Sequence, residues 1–124
     1  MDRAILLVDT DLGFLFWLGR ALDQAGYEAF PARTIPDAMT LLVELHLTVG
    51  LLILNCSLPG AEDFVARMRH SRKNLKVISL VGQEPLLLTP GVDAICPKPS
   101  EINDRSKVAM LRIVHQVLPN TLAS

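Results

Sequence analysis

The sequence predicts an α/β fold: a parallel sheet with helices wound over both faces. Two patterns predict it. Short apolar runs alternate with capped amphipathic stretches from one end of the chain to the other. Two of those runs, Ala4–Val8 and Val49–Leu54, have no charged residue, as expected of strands covered on both sides.

Taken in order, Ala4–Val8 reads as the first strand. Asp11 is placed to cap a helix that runs to about Ala25 and stops at Gly26. Tyr27–Ala32 is a second, weaker strand. Thr34 caps the next helix, which has Pro36 in its first turn and extends to about His46. Val49–Leu54 is the third strand, Ala61–Ser71 a helix and Leu75–Val81 the fourth strand. Ala94–Cys96 makes a short fifth strand, closed by Pro97 and Pro99. Asn103 or Asp104 caps a last helix to about Leu118. Between the fourth and fifth strands, GQEPLLLTPG is interrupted by Pro85 and Pro90. The fourth helix is therefore expected to be shortened or irregular, with Leu86, Leu87 and Leu88 either packing down as a lid on the sheet or offering a sticky edge. Five strand–helix units in one chain fit the flavodoxin-like strand order 2-1-3-4-5. A single domain over residues 1–124 is expected, with 119–124 as a flexible tail.

Composition narrows the function classes. Half of the 124 residues are hydrophobic and the net charge is -1; the mean hydropathy is +0.34. That balance gives no basic surface for nucleic acid and no polybasic membrane anchor. No apolar run approaches the length of a membrane span, and acidic residues follow the first run at once, so no signal peptide is expected. Cys56 and Cys96 are too few for a disulfide framework, so a reduced, cytoplasmic setting is expected. His46, His70 and His115 have no metal-ligand spacing, and the cluster Arg67, Arg69, His70, Arg72 and Lys73 reads as a solvated helix end.

In the predicted architecture the functional crevice lies beyond the C-terminal ends of the strands. Those ends carry Asp9, Thr10 and Asp11, then Asn55, Val81 and Lys98. LLVDTD, LLILNCSLPG and GVDAICPKPS occur in that order, and the whole chain resembles the receiver domain of response regulators in two-component (phosphorelay) signalling, of the CheY-like kind. The resemblance implies a phospho-accepting aspartate after the third strand and a Mg²⁺ held by further carboxylates. It also implies a lysine and a hydroxyl on the phosphoryl group, and an aromatic switch residue on the fifth strand.

Position by position, the chain departs from that pattern. Asn55 stands at the acceptor position, and an amide nitrogen whose lone pair is delocalised into its carbonyl is a poor nucleophile. Thr10 replaces the second acidic residue, Val81 the hydroxyl and Ile95 the aromatic switch; Asp9 and Lys98 match. The expectation is a degenerate pseudo-receiver that is not an enzyme and has no cofactor. Its Mg²⁺ binding should be weak or absent, with Asp9 and Asp11 the residual carboxylates. Asp9 and Lys98 are expected to pair directly, with Asn55 hydrogen-bonding nearby. The same three residues also fit a role as retained packing groups. Two other functions stay open: phosphorylation on a displaced carboxylate, Asp9 or Asp11, and small-molecule binding in the crevice.

Surplus apolar residues point to partners. On the first helix, Phe14, Trp17, Leu18, Ala21, Leu22 and Ala25 suit the core, which leaves Leu12, Leu15 and Phe16. On the last, Val108, Leu111, Val114 and Leu118 suit the core, which leaves Met110, Ile113 and Val117. These two helices lie side by side in the predicted fold. Leu12, Leu15, Phe16, Met110, Ile113 and Val117 are therefore candidates for an interface, either a homodimer or a docking surface for a signalling partner such as a histidine kinase or an output domain.

Overall fold

The computed structural model describes residues 4–82 and 91–119 of the chain. Its elements are β1 (Ala4–Val8), α1 (Leu12–Gln24), β2 (Glu28–Ala32), α2 (Ile35–Glu44), β3 (Val49–Asn55), α3 (Ala61–Ser71), β4 (Lys76–Val81), β5 (Ala94–Pro97) and α4 (Asp104–Val117). The five strands form one parallel sheet in the order β2-β1-β3-β4-β5, as the sequence predicts. The shortened fourth helix and the Leu86–Leu88 lid fall on residues 83–90, which lie outside the described residues, as does the tail from 120 onwards.

The helices start where their sequences say. Asp11 accepts from the Phe14 amide at α1, and Thr34 accepts from the Asp37 amide at α2. At α4 the cap is Asn103, which forms a reciprocal capping box with Ser106. Helix α3 has no side-chain cap: Gly60, at φ +81, turns the chain into it.

Strand alternation builds two cores. Ile5, Leu7, Leu51, Ile53, Ile78 and Leu80 face α1 and α4. Leu6, Val8, Leu52, Leu54 and Val77 face α2 and α3. Gly50 is the extra residue of a bulge between Ala4↔Val49 and Ile5↔Leu51. It shifts the phase of β3, so that Val49 joins the α2/α3 core while Leu51 joins the other.

Two expectations about the helix faces are corrected. Leu15 is buried, not surface: α1 turns a wide arc of Phe14, Leu15, Leu18, Ala21 and Leu22 inward. Met110 is buried and Val108 is 52% exposed, the reverse of the reading from sequence. The buried arc of α4 is centred on Met110 and Val114 and is flanked by Leu111, Val117 and Leu118. Val108 lies about 160° round the helix from Met110.

The end of α4 is tied back to the sheet. The hydroxyl of buried Tyr27 donates to the Leu118 carbonyl at 2.6 Å. Burial raises the Tyr27 phenol above its usual 10.0 and pushes the Cys96 thiol from 9.0 up to about 11. Both groups hold their protons more tightly in the folded chain than in the unfolded one. Their contribution to stability is complete below the unfolded values and is lost as pH rises through the folded ones. Unfolding free energy, measured by urea titration, should therefore fall as pH rises from 9.0 towards about 11, with a smaller slope in Cys96→Ala. At neutral pH, Tyr27→Phe should cost about 1 kcal/mol through the lost bond to Leu118.

Candidate functional site

Five elements meet at the C-terminal edge of the sheet. β1 delivers Asp9, whose backbone amide donates to Ala32 O at 3.2 Å. Its Oδ1 accepts the Asp11 amide at 3.2 Å, and the residue is wholly buried. Asp11 turns its own carboxylate onto the Phe14 amide at 3.1 Å, so it serves as the α1 cap. β5 ends at Pro97, and the Lys98 amide donates to Val81 O at 2.8 Å, which ties the crossing loop to β4.

The Lys98 side chain then reaches across the crevice. Its ammonium lies 2.9 Å from Asp9 Oδ2 and 4.8 Å above the centroid of the Phe14 ring. The lysine side chain is 23% exposed and the aspartate 1%. The ion pair is close but not aligned as a directed hydrogen bond, and no hydrogen bond reaches Oδ2 from the described residues. Lys98 is thus the counter-charge of a carboxylate that has no access to water, and the ring face below adds a second attraction to the cation.

Asn55 ends β3 next to this pair, because Val8 pairs with Leu54 and the residues that follow are neighbours across the sheet. Its amide points elsewhere. Asn55 Oδ1 accepts from the Ser57 amide at 3.0 Å and from Ser57 Oγ at 2.6 Å, which closes the turn after the strand. Thr10 is exposed, Val81 is half-buried at the end of β4, and Ile95 is half-buried on β5, in register with Ser79. Of the residues picked out from sequence, the structure therefore joins Asp9 to Lys98 and sets Asn55 and Val81 beside them.

Two participants were missed. Phe14 looks like an ordinary core residue of α1, and only the chain reversal at Asp11 brings its ring under Lys98. Ser57 has no motif value alone; its place two residues after an asparagine at a strand end is the signal of an Asx turn. The basic cluster also needs correction at Arg69. Its guanidinium is half-buried and bonds Asp93 Oδ2 at 2.6 Å, and the same oxygen accepts the Val77 amide at 2.7 Å. Arg69 is thus a strut between α3 and the loop before β5.

Of the interface candidates, Leu12 and Phe16 are exposed, Phe16 at 61%. Ile113 and Val117 are half-buried, and Leu15 and Met110 belong to the core. No described helix is long and apolar enough to cross a membrane.

This sheet order, with helices on both faces, is that of the CheY-like, flavodoxin-type fold. The structural neighbours are response-regulator receiver domains. The chemotaxis response regulator CheY4 of Vibrio cholerae superposes with a TM-score of 0.74 at 18% identity, covering 95% of this chain and 100% of that one. A structure of the histidine kinase ThkA in complex with the response regulator TrrA matches with a TM-score of 0.70 at 21% identity, over 95% of this chain and 99% of the matched chain. At these identities the likeness establishes the fold. In sequence, the chain is 24% identical over 108 residues to the photosynthetic apparatus regulatory protein RegA of Rhodobacter capsulatus, covering 83% of this chain. It spans 59% of that relative's length. No protein-family model matches the chain.

The two partners of the ion pair are unequally placed, and their variants should differ. Lys98→Met leaves a buried, uncompensated carboxylate and should destabilise the fold by about 3 kcal/mol. Asp9→Asn leaves a lysine that can reach water and should cost less than half of that. The double variant should recover most of the Lys98→Met loss. Urea unfolding of the three variants at neutral pH checks the ordering.

Proposed function

We propose that this chain is a receiver-like module of a two-component signalling system that takes no phosphoryl group at Asn55 and acts through protein contacts, independently of phosphorylation. On this reading it is a signalling module and not an enzyme. The observation that carries the reading is the closed Asp9–Lys98 pair beside an amide already committed to Ser57. Phosphoryl transfer to a carboxylate needs an oxygen nucleophile, a cation to neutralise charge and donors for the phosphoryl oxygens. Here the strand end offers an amide, Val81 has no donor, and the lysine is held by Asp9.

The residues do not fit a resident Mg²⁺. Such an ion wants near-octahedral oxygen ligands with carboxylates among them. Asp9 Oδ2 already faces an ammonium at 2.9 Å, and Asp11 Oδ1 caps α1. The same engagements disfavour a displaced carboxylate as acceptor. The partners we assign are signalling proteins, a histidine kinase or an output domain. RegA is a regulatory protein by name, and TrrA is a response regulator held in complex with a histidine kinase. The free thiols of Cys56 and Cys96 suit a reducing cytoplasm.

For contacts, the reading uses the α1/α4 side, reduced to Leu12, Phe16, Ile113 and Val117, with a second copy of the chain as occupant. Phe16 stands in a shallow recess with Trp17, Arg20 and Lys107 and exposes most of its ring.

Two measurements check the proposal. Incubation with acetyl phosphate and Mg²⁺ should leave the intact mass unchanged, both for the chain and for Asn55→Asp alone; an adduct of about 80 Da, one phosphoryl group, would overturn it. Sedimentation at micromolar protein should show a dimer that Phe16→Glu converts to monomer with its melting temperature kept.

A further inference from the structure

We propose a second docking surface, on the opposite face of the sheet, that takes an acidic amphipathic helix from a partner protein. It lies in the furrow between α2 and α3, about 580 Å³ in volume. This site goes beyond the reading of the crevice, since it would take its ligand whatever the state of residue 55.

The floor of the furrow is apolar: Leu42 from α2, with Phe64 and Met68 from α3. The α2 wall stays greasy up to the rim, where Met39 is exposed and Val43 is 71% exposed. One β-branched apolar side chain so far out is ordinary on a surface. A pair one turn apart, bordering a groove with an apolar floor, is the pattern of a helix-binding site, in which anchors at i, i+3 or i+4, and i+7 drop between two helices. The stretch of α3 that forms the other wall, Phe64 to Ser71, is about 11 Å long, which matches two turns of an added helix.

Charge decides the partner's chemistry. The α3 rim carries Arg67, His70 and Arg72, and no Asp or Glu lines the furrow. Among the described residues none of these three side chains forms a salt bridge; the neighbouring Arg69 is neutralised by Asp93 and turned away into its strut. The Arg72 guanidinium rests on the Met68 sulfur at 3.6 Å, which brings the charge over the apolar floor. In a chain with a net charge of -1, a rim that carries the guanidinium groups of Arg67 and Arg72, with no acidic side chain in the furrow's lining, is complementary to carboxylates flanking an apolar stripe.

The test uses the whole chain and two labelled synthetic peptides of about 15 residues, long enough to form a helix on the surface. Both carry leucines at i, i+3, i+4 and i+7; one is flanked by glutamates and the other by lysines. Fluorescence anisotropy should show the glutamate peptide binding at least about tenfold more tightly than the lysine peptide. That binding should weaken about tenfold in Val43→Glu and in Arg67→Glu, two exposed positions whose variants should melt with the native chain. It should persist in Phe16→Glu and weaken as salt is raised. Equal binding of the two peptides, no binding at millimolar protein, or insensitivity to Val43→Glu would overturn the proposal. A dimer that Val43→Glu dissociates and Phe16→Glu does not would also overturn it, by assigning the furrow to a second copy of the chain. Because the readout is peptide binding, failure here leaves the acetyl phosphate result standing, and the reverse holds too.

Discussion

A carboxylate with no route to water must have a counter-charge, and in this chain that requirement organises the whole edge of the sheet. Asp9 is wholly buried and Lys98 is the cation that meets it. For Lys98 to reach across, β5 must end where it does, its backbone must bond the end of β4 at Val81, and the ring of Phe14 must lie beneath the ammonium. Phe14 in turn is placed by the Asp11 cap of α1. One ion pair thus joins β1, β4, β5 and α1. Each of those links is a contact between protein atoms, and on the reading proposed here the edge needs no ion or phosphoryl group to balance its charge. A two-state device needs a second arrangement of similar free energy, stabilised by some ligand. On the reading proposed here no such ligand binds: the lysine has its partner, and neither Val81 nor Ile95 has the chemistry to mark a second state.

The two faces of the sheet answer different demands. On the α1/α4 side, Tyr27 bonds Leu118 and a broad arc of α1 is buried, so the surface is mostly used up by the fold, and Leu12, Phe16 and Val108 are the large apolar side chains left exposed there. On the α2/α3 side, α2 buries only Ala38 fully, and its apolar residues Met39 and Val43 stand at the rim of a furrow. The Gly50 bulge contributes to this asymmetry, because it hands Val49 to the α2/α3 core. On the proposed reading the crevice is chemically quiet, and these faces are what the module offers, the second bordered by Arg67 and Arg72.

The fold was legible because its signals are local. Apolar runs without charge, Asp11, Thr34 and Asn103 at helix starts, and Gly26 at a helix end each act within a few residues, and each appears where expected. The Asp9–Lys98 contact was legible for another reason: the resemblance to receiver domains singled out both residues, and a parallel sheet puts the ends of β1 and β5 on one edge, where a long lysine side chain spans the two strands between them. What failed was helix phase. A helix as apolar as α1 or α4 has two plausible inward arcs, and sequence periodicity does not choose between them. The shape of the sheet chooses, and it takes Leu15 and Met110 inward and leaves Val108 out. The roles of Phe14, Ser57 and Arg69 were hidden for a similar reason, since each depends on a partner that only tertiary folding or a tight turn supplies.

Asn55 is best understood through what an aspartate would do in its place. Its Oδ1 accepts two hydrogen bonds from Ser57, and a carboxylate oxygen would accept the same two, so the turn does not require an amide. The charge is what differs. β1 and β3 are neighbours in the sheet, paired at Val8 and Leu54, with backbones about 4.8 Å apart. A carboxylate at 55 would thus stand beside Asp9, and the single ammonium of Lys98 would have to serve both. Two carboxylates with one cation repel, and the imbalance is relieved by a proton or a metal ion. The amide removes the surplus charge and with it the need for relief. On the proposed reading, the residues at 55, 10 and 81 are then one linked departure from the receiver pattern and not three separate ones. On that reading, Asn55 lets Lys98 settle on Asp9, which leaves no net negative charge to hold a metal ion and no phosphoryl oxygen for a hydroxyl at 81 to meet.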